Sequence, residues 1–249
     1  MEGKLKQISI VAGCFNEAGN LRELYNRVVK VFQQLPQYDY EIIIADNYST
    51  DGSRDILRLI AAQDKKFKVI LNSRNFGQVR SPYNAFIQAS GDAVVAMCSD
   101  LQDPPELIVD FVHEWEKGAS VVCAVKPQSK DNVTMLVVRR FYYWLLANFS
   151  ENIQTRNFTG FGLYDRKFMD ELKKFHDPYP YFRGLVSEIG LKRVEVPFVQ
   201  ERRKYGKTKN NLFTLYDVAM TGFVNHSKLP LRLAAFCGFS LAGISLLIA

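Results

Sequence analysis

The sequence predicts an open, doubly wound α/β domain with a mostly parallel sheet and helices on both faces. Short apolar runs of strand length alternate with amphipathic helical segments through the first half of the chain. Polar clusters follow three of these runs, at the strand ends where open sheets bind ligands. The chain has 249 residues, and 47% of them are hydrophobic, which allows one large α/β domain with a sizeable core.

The strand and helix elements alternate in a regular order. Continuous apolar runs, which are typical of buried parallel strands, predict strands at Ile8–Gly13, Glu41–Ala45, Lys68–Asn72, Ala93–Cys98 and Ser120–Val125. Apolar residues at helical spacing predict helices at Asn20–Leu35, Arg54–Gln63, Gly77–Ser90 and Leu107–Lys117. A strand, a helix and a strand in succession indicate parallel crossovers.

The second half of the chain is less regular. Met135–Phe149 and Arg166–Phe175 have helical spacing, and prolines follow the second of these segments. Asn157–Tyr164 is glycine-rich, so we expect irregular structure with at most a short strand. Val194–Phe198 is predicted to be a further strand.

The C-terminal part is the most apolar. Leu212–Val224 is apolar on most sides, which suits either a helix in a membrane interface or one packed on the core. Leu231–Ala249 carries one charge, Arg232, and predicts the start of a transmembrane helix that continues beyond residue 249. A buried core helix is the alternative. The predicted domains are therefore a catalytic domain at 1–210, a juxtamembrane helix at 211–228 and the membrane segment from 229 to 249.

Charge placement limits the partners. The net charge of +6 is modest, but basic residues are concentrated in Arg202–Lys209, just before the apolar part. This run favours an anionic membrane surface or a phosphorylated substrate, although a solvated loop is the alternative. No aromatic-rich basic face accompanies it, so a nucleic-acid partner is disfavoured.

The cysteines and the N-terminus indicate a cytosolic environment. Four widely spaced cysteines, without a C-x-x-C pair, predict reduced thiols rather than disulfides or a zinc site. The polar N-terminus predicts no secretory signal. Basic residues Lys228 and Arg232 flank the start of the apolar segment, as is typical of the cytoplasmic side of a membrane.

Acidic, amide and hydroxyl side chains follow three of the predicted strands. These side chains are Asn16, Glu17, Asp46, Asn47, Ser49, Asp51, Asp100, Gln102 and Asp103. Each cluster alone is ordinary turn chemistry, and Asp51-Gly52 in particular predicts a turn. Together they predict an acidic crevice that would accept a phosphate group through Mg²⁺ or Mn²⁺. No Walker or G-x-G-x-x-G loop is present, which disfavours kinases, ATPases and dinucleotide dehydrogenases.

The three clusters also form an ordered set of motifs. CFNE begins at Cys14, EIIIADNYSTDGS at Glu41 and SDLQDPPE at Ser99. In this order they resemble the family 2 glycosyltransferases, most closely the polyprenyl-phosphate sugar transferases, which include dolichol-phosphate mannose synthases and bactoprenol glucosyltransferases. Later pieces, TGFGLYDR, YFRGL, R-x-x-G-x-T-K and LPLRLA, extend the resemblance over nearly the whole chain. It implies an A-type glycosyltransferase fold.

The resemblance implies binding roles for individual residues. The nucleotide-binding residues would be Phe15, Glu17, Asp46, Asn47 and Lys126, with Phe15 and Glu17 at base and ribose, Asn47 at the base and Lys126 at a phosphate. Asp100 would be the metal ligand, assisted by Gln102.

The resemblance also implies the reaction. It would be an inverting transfer of a hexose-type sugar from a UDP- or GDP-linked donor to a polyprenyl phosphate, at the cytoplasmic face of the inner membrane. Asp100, Arg203 and Lys209 would act on phosphate or metal, and Asp103 or Glu188 would be the base if the acceptor were a hydroxyl. Self-association of the chain stays open.

Three departures from the family pattern keep two alternatives open. Cys98 stands where an aspartate of D-x-D is usual, Asn47 replaces an acidic residue, and Gly160 stands where relatives often have aspartate. One alternative is a family 2 transferase acting on a saccharide hydroxyl in surface-polysaccharide assembly. The other is a catalytically weak, membrane-anchored binding subunit.

Overall fold

The computed structural model describes residues 5–126, 157–177, 180–205 and 229–248, with single positions between 216 and 227. The chain divides into one unit of Met1–Ser129 with Asn157–Thr208 and another of Lys130–Arg156 with Lys209–Ala249. The predicted helix Met135–Phe149 and most of the predicted helix Leu212–Val224 lie outside the described residues.

A seven-stranded sheet forms the centre of the first unit. Its strands are β1 (Lys6–Cys14), β2 (Tyr38–Asp46), β3 (Phe67–Leu71), β4 (Ala93–Cys98), β5 (Val121–Val125), β6 (Phe158–Asp165) and β7 (Arg193–Pro197). Their order is β3-β2-β1-β4-β6-β5-β7. Neighbouring strands are parallel except at β6, which runs antiparallel to β4 and β5. The predicted mostly parallel sheet is confirmed.

Helices cover both faces of this sheet. They are α1 (Ala18–Gln33), α2 (Ser53–Gln63), α3 (Gly77–Gln88), α4 (Ile108–Glu116), α5 (Arg166–Leu172) and α6 (Phe182–Ile189). One core packs α1, α2 and α4 against the sheet, and a second packs α3, α5 and α6 against its other face. Alternate residues of β1 separate the two cores, because Ile10 belongs to the first and Val11 to the second.

The structure extends the short strand expected in Asn157–Tyr164. Strand β6 has eight residues and keeps an irregularity, because its pairing with β5 shifts register between Cys123 and Val125 and Gly160 has φ 101°. Gly162 reflects close approach between strands, since a Cβ added there would overlap the Val122 carbonyl oxygen. Helix α6 was not predicted either, because its eight residues show too little of the helical period. Helix α5 ends at Leu172, three residues before the predicted end at Phe175.

A buried carboxylate stabilises the edge of the sheet opposite the polar strand ends. Glu41 is 2% exposed and accepts hydrogen bonds from the Ser9 hydroxyl at 2.6 Å, from the Ser90 N–H at 2.9 Å and from Lys68 Nζ at 2.5 Å. Burial by itself would raise the pKa of Glu41, but these donors outweigh it and lower the pKa to about 2.

We expect Glu41→Gln to destabilise the fold near neutral pH by about 2 kcal/mol, after allowance for the solvent-exposed ammonium of Lys68. Because the folded-state pKa is lowered, the contribution of Glu41 is full above the unfolded pKa of about 4.5 and disappears as the pH falls towards about 2. Urea unfolding at several pH values measures this. Glu171→Gln, which alters an exposed ion pair with Lys174, is the control and should change little. A mutant deficit that stays constant from pH 7 to pH 2.5 would contradict the assignment.

One helix of the second unit is described. Helix α7 (Leu229–Ile248) contains the stretch Leu231–Ile248, whose mean hydropathy is 1.9 and none of which is buried. By length and composition it is the one helix among the described residues that could cross a membrane.

Candidate active site

The carboxyl ends of β1, β2 and β4 lie side by side at one edge of the sheet. The register pairs Gly13 with Cys98 and Cys14 with Asp46, so the three ends are level. Strand order reverses between β1 and β4, and such a switch point opens a crevice.

Each of these ends turns sharply through a left-handed residue. Asn16 after β1 has φ 57°, Tyr48 after β2 has φ 68°, and Leu101 after β4 has φ 61°. Left-handed backbone at a residue other than glycine is strained, and such strain clusters at functional sites.

A single cation joins two of the ends. Arg203 Nη1 donates to Glu17 Oε1 at 2.9 Å, and Nη2 donates to Asp100 Oδ2 at 2.6 Å. Glu17 and Asp100 are each 8% exposed. The structure therefore brings together three of the predicted site residues, one each from the ends of β1 and β4 and one from the segment after β7.

Gln102 lies beside Asp100. Its backbone N–H donates to Asp100 Oδ1 at 3.1 Å, and its side-chain amide donates to the Glu201 carbonyl at 3.3 Å. Among the described residues, Gln102 Oε1 accepts no hydrogen bond, so this oxygen is open to a ligand. Its assistance to a metal stays a prediction.

Asp103 holds the loop that follows β4. It is 3% exposed, and its carboxylate accepts the Cys98 N–H at 2.9 Å. Burial raises the pKa of Asp103 to about 6. The negative charge of Asp103 in turn raises the pKa of the Cys98 thiol well above its ordinary value, so the thiol is neutral at neutral pH. The catalytic role of Asp103 stays a prediction.

Asp46 ends β2 and is fully buried. One oxygen, Oδ2, accepts from the N–H groups of Tyr48 and Ser49 at 3.2 Å, and Arg54 Nε lies 3.4 Å from it. The other oxygen, Oδ1, has no hydrogen-bond partner among the described residues, although it is buried. Because a buried acceptor without a donor is costly, the site suits a ligand that brings an N–H or O–H group.

The Asn47 amide is engaged by the loop after β3. Its Nδ2 donates to Asn75 Oδ1 at 2.7 Å and to the Gly77 carbonyl at 3.2 Å. Its Oδ1 accepts from the Phe76 N–H at 2.8 Å and from Asn72 at 3.4 Å. The loop thus uses both ends of the amide, and contact of Asn47 with a base stays a prediction.

We expect Asn47→Asp to destabilise the protein by about 1–3 kcal/mol near neutral pH, because a carboxylate has no proton for Asn75 Oδ1 or the Gly77 carbonyl. Urea unfolding measures the change. Asn84→Asp makes the same chemical change on the exposed side of α3, and we expect less than about 0.5 kcal/mol there. Equal stabilities of the two variants would contradict a special role of the amide.

The remaining predicted residues lie around this group or outside the described part of the chain. Lys126 follows β5, and its Nζ donates to Gln200 Oε1 at 2.7 Å. Phe15 follows β1 and is half-buried, whereas Glu188 is exposed on α6. Lys209 lies outside the described residues, so its role stays a prediction.

Two features of the crevice were missed in the sequence. Arg54 in the first turn of α2 contacts Asp46, and the loop after β3 receives Asn47. Both could have been found from their positions in the sequence, because both follow strands that end at the same edge of the sheet. The predicted turn at Asp51 is confirmed, since its carboxylate accepts from the N–H groups of Ala18 and Ser53 at 3.0 Å.

The crevice fits a divalent cation that shares its ligands with a substrate. Among the described residues, no group of three or more His, Cys, Asp or Glu could hold a metal by itself. Mg²⁺ in phosphate sites commonly takes only one or two protein carboxylates and the phosphate oxygens. The positively charged guanidinium of Arg203 lies against Asp100, so this carboxylate is placed to pair with a cation.

The sequence profile of Glycosyl transferase family 2 matches residues 9–173, which is most of the sheet and its loops. The chain belongs to this family. An uncharacterized glycosyltransferase of Bacillus subtilis, YkcC, is 35% identical over 97% of this chain and 75% of its own length. The bactoprenol glucosyl transferase of Shigella phage SfV is 30% identical over 97% of this chain and 78% of its own.

Solved structures agree on the architecture. Glucosyl-3-phosphoglycerate synthase from Mycobacterium tuberculosis, solved with Mn²⁺, UDP and phosphoglyceric acid, matches with a TM-score of 0.59 and 21% identity. The match covers 86% of the present chain and 75% of the Mycobacterium tuberculosis synthase. The A-type glycosyltransferase fold is therefore confirmed.

The backbone of this family 2 transferase explains one departure from the family pattern. Gly160 has φ 101°, a conformation that strains any residue with a side chain. An aspartate here would require a different local backbone. At Cys98 the change is chemical, because a neutral thiol replaces a charged carboxylate next to Asp100.

Proposed function

We propose that this family 2 transferase moves a hexose-type sugar from a nucleoside-diphosphate donor to a polyprenyl phosphate at a membrane, with inversion at the anomeric carbon. The observation that carries the proposal is the convergence of Glu17 and Asp100 on one cation at the switch point between β1 and β4. Relatives named bactoprenol glucosyl transferase support the acceptor class.

The donor would lie along the strand ends. The orphan oxygen of Asp46 would accept a hydrogen bond from the nucleoside, and Glu17 would lie beside the ribose. Arg203 and Lys126 would contact phosphate oxygens, which guanidinium and ammonium groups bind well.

Asp100 would hold a divalent metal ion, with Gln102 Oε1 as a second ligand and diphosphate oxygens as the others. When bound, the metal would neutralise the charge that develops on the leaving diphosphate. The Mycobacterium tuberculosis synthase, which has the same fold, was solved in complex with Mn²⁺ and UDP together, and this supports the metal-bound donor.

A phosphate acceptor suits this crevice because neither Asp103 nor Gly160 is available as a catalytic base. The carboxylate of Asp103 is buried and engaged with Cys98, and Gly160 has no side chain to act as a base. A lipid phosphate with a second pKa near ~6 is already an anion at neutral pH and needs little help from a base. Helix α7 is apolar along its length, which agrees with a membrane-borne acceptor.

Transfer assays with radiolabelled donors test the proposal. UDP- and GDP-linked hexoses are offered with Mn²⁺ to the purified protein in vesicles that contain either undecaprenyl phosphate or an oligosaccharide acceptor. We expect a chloroform-soluble sugar phospholipid, and no product without divalent metal. A product found only on the oligosaccharide would replace the polyprenyl phosphate by a saccharide hydroxyl. Tight metal-dependent nucleotide binding without any product would favour a binding subunit.

A further inference from the structure

Arg203 occupies a cation position in the crevice. Its two terminal nitrogens reach two different carboxylates, Glu17 at 2.9 Å and Asp100 at 2.6 Å. The Arg203 side chain is 22% exposed, so the pairing takes place largely out of water. Burial raises the pKa of Glu17, and the positive charge of Arg203 opposes that rise.

The other oxygens of these two carboxylates are already engaged. Glu17 Oε2 accepts from Asn20 Nδ2 at 2.6 Å, and Asp100 Oδ1 accepts the Gln102 N–H at 3.1 Å. The oxygens that face an incoming cation are therefore the ones that Arg203 holds. A metal ion that binds Asp100 through Oδ2 has to take the place of the guanidinium.

The residues on both sides of Arg203 make contacts of their own. Glu201 and Gln102 exchange two hydrogen bonds, each of 3.3 Å, before it. After it, Lys204 Nζ forms an exposed ion pair with Glu23 at 2.5 Å, and the Tyr205 ring packs on Gly19, where an added Cβ would lie 3.0 Å from the ring. None of these contacts uses the Arg203 side chain, so a rotation of that side chain would release the carboxylates without breaking them.

The free energy of replacing the guanidinium by a metal ion at Asp100 depends on whether a diphosphate binds as well. A metal ion alone would displace the guanidinium from Asp100 and leave Glu17 as its one remaining partner of the two carboxylates, in a partly buried place, which is unfavourable. A diphosphate that arrives with the metal offers Arg203 new oxygens in the bidentate geometry that guanidinium favours.

We infer that Arg203 makes the crevice selective for a metal–nucleoside diphosphate pair over the free metal ion. It is the resident counter-ion of Glu17 and Asp100, and it exchanges these carboxylates for diphosphate oxygens when metal and nucleotide bind together. The inference rests on the proposed nucleotide-sugar donor. It gives the site positive coupling between metal and nucleotide, which linkage requires to be reciprocal.

Calorimetric titration with Mn²⁺, with and without UDP or GDP, tests this coupling in the wild type, Arg203→Ala and Arg202→Ala. Arg202 is exposed and adjacent, so its variant makes the same change in net charge without touching the carboxylates. Without nucleotide, we expect Arg203→Ala to bind Mn²⁺ about fivefold or more tightly than wild type, and Arg202→Ala to bind like wild type. Nucleotide should tighten Mn²⁺ binding more in wild type than in Arg203→Ala. The rise in melting temperature with Mn²⁺ alone should follow the same order.

Arg203→Lys provides a second test that keeps the charge. One ammonium group cannot present the separate N–H groups of a guanidinium to two carboxylates, so we expect intermediate Mn²⁺ affinity. Equal Mn²⁺ affinity of wild type, Arg203→Ala and Arg203→Lys without nucleotide would overturn the inference and leave the proposed function intact. A wild type that binds nucleotide equally with and without Mn²⁺ would instead overturn the proposed metal-dependent donor site. If Arg203→Ala does not fold, the comparison with Arg203→Lys decides.

Discussion

Replacing Asp100 by asparagine should abolish metal-dependent nucleotide binding and lower sugar transfer by about a hundredfold or more. Asparagine has the shape of aspartate and can still accept the Gln102 N–H, so the loop after β4 should keep its conformation. What the variant loses is the negative charge that pairs with Arg203 and that the metal would need. Single-turnover transfer and the thermal shift with Mn²⁺ and nucleotide measure the two effects.

The control for this variant is Asp110→Asn. Asp110 lies in the first turn of α4, away from the strand ends that form the crevice. We expect its transfer rate to equal that of the wild type. A wild-type rate in Asp100→Asn would remove the metal from the proposed mechanism, because no group of three or more His, Cys, Asp or Glu among the described residues could hold one in its place.

Among substitutions that add a single methyl group to a residue of the sheet, we expect Gly162→Ala to lower the free energy of unfolding the most. A Cβ at this position would overlap the Val122 carbonyl oxygen at 2.1 Å and crowd the Val122 carbonyl carbon at 3.2 Å. These are backbone atoms of the adjacent strand β5, so relief requires β5 and β6 to separate. We expect a loss of about 4 kcal/mol or more, measured by urea unfolding and by the yield of soluble protein.

Gly238→Ala is the matched control. Gly238 lies in α7, and an added Cβ there meets no atom within 4 Å. Alanine also favours a helix over glycine by about 1 kcal/mol, so the variant should be neutral or slightly stabilised. If Gly162→Ala unfolded at the same urea concentration as Gly238→Ala, the close packing of β5 on β6 would be wrong.

The elements that the sequence predicted well are those with local signals. β4 has the predicted bounds Ala93–Cys98, and α2 differs from prediction by one residue at its start. A buried strand is a continuous apolar run and an amphipathic helix has a 3.6-residue period, so both are visible within ten residues or so. The length of β6 was missed because Gly162 is required by β5, a strand distant in sequence, which no local pattern reveals.

In the candidate site too, some residues could be predicted from local sequence and others could not. Polar residues after apolar runs identified Glu17, Asp46 and Asp100, because strand ends of a parallel sheet meet at one edge. Their partners were not visible, since Arg203 is 186 residues from Glu17 and 103 from Asp100. The Asn47 amide looked available for a base in the sequence, yet the loop after β3 engages it.

From the sequence alone we could predict the fold class, the family and the edge of the sheet at which the polar strand ends meet. These follow from hydrophobic period and from residues close together in the chain, which act through local backbone preference and burial. The pairing of the charges, the carboxylate oxygen without a donor and the position where glycine is obligatory emerged with the packed fold. They depend on distances of a few ångströms between segments far apart in the chain, which no local pattern encodes.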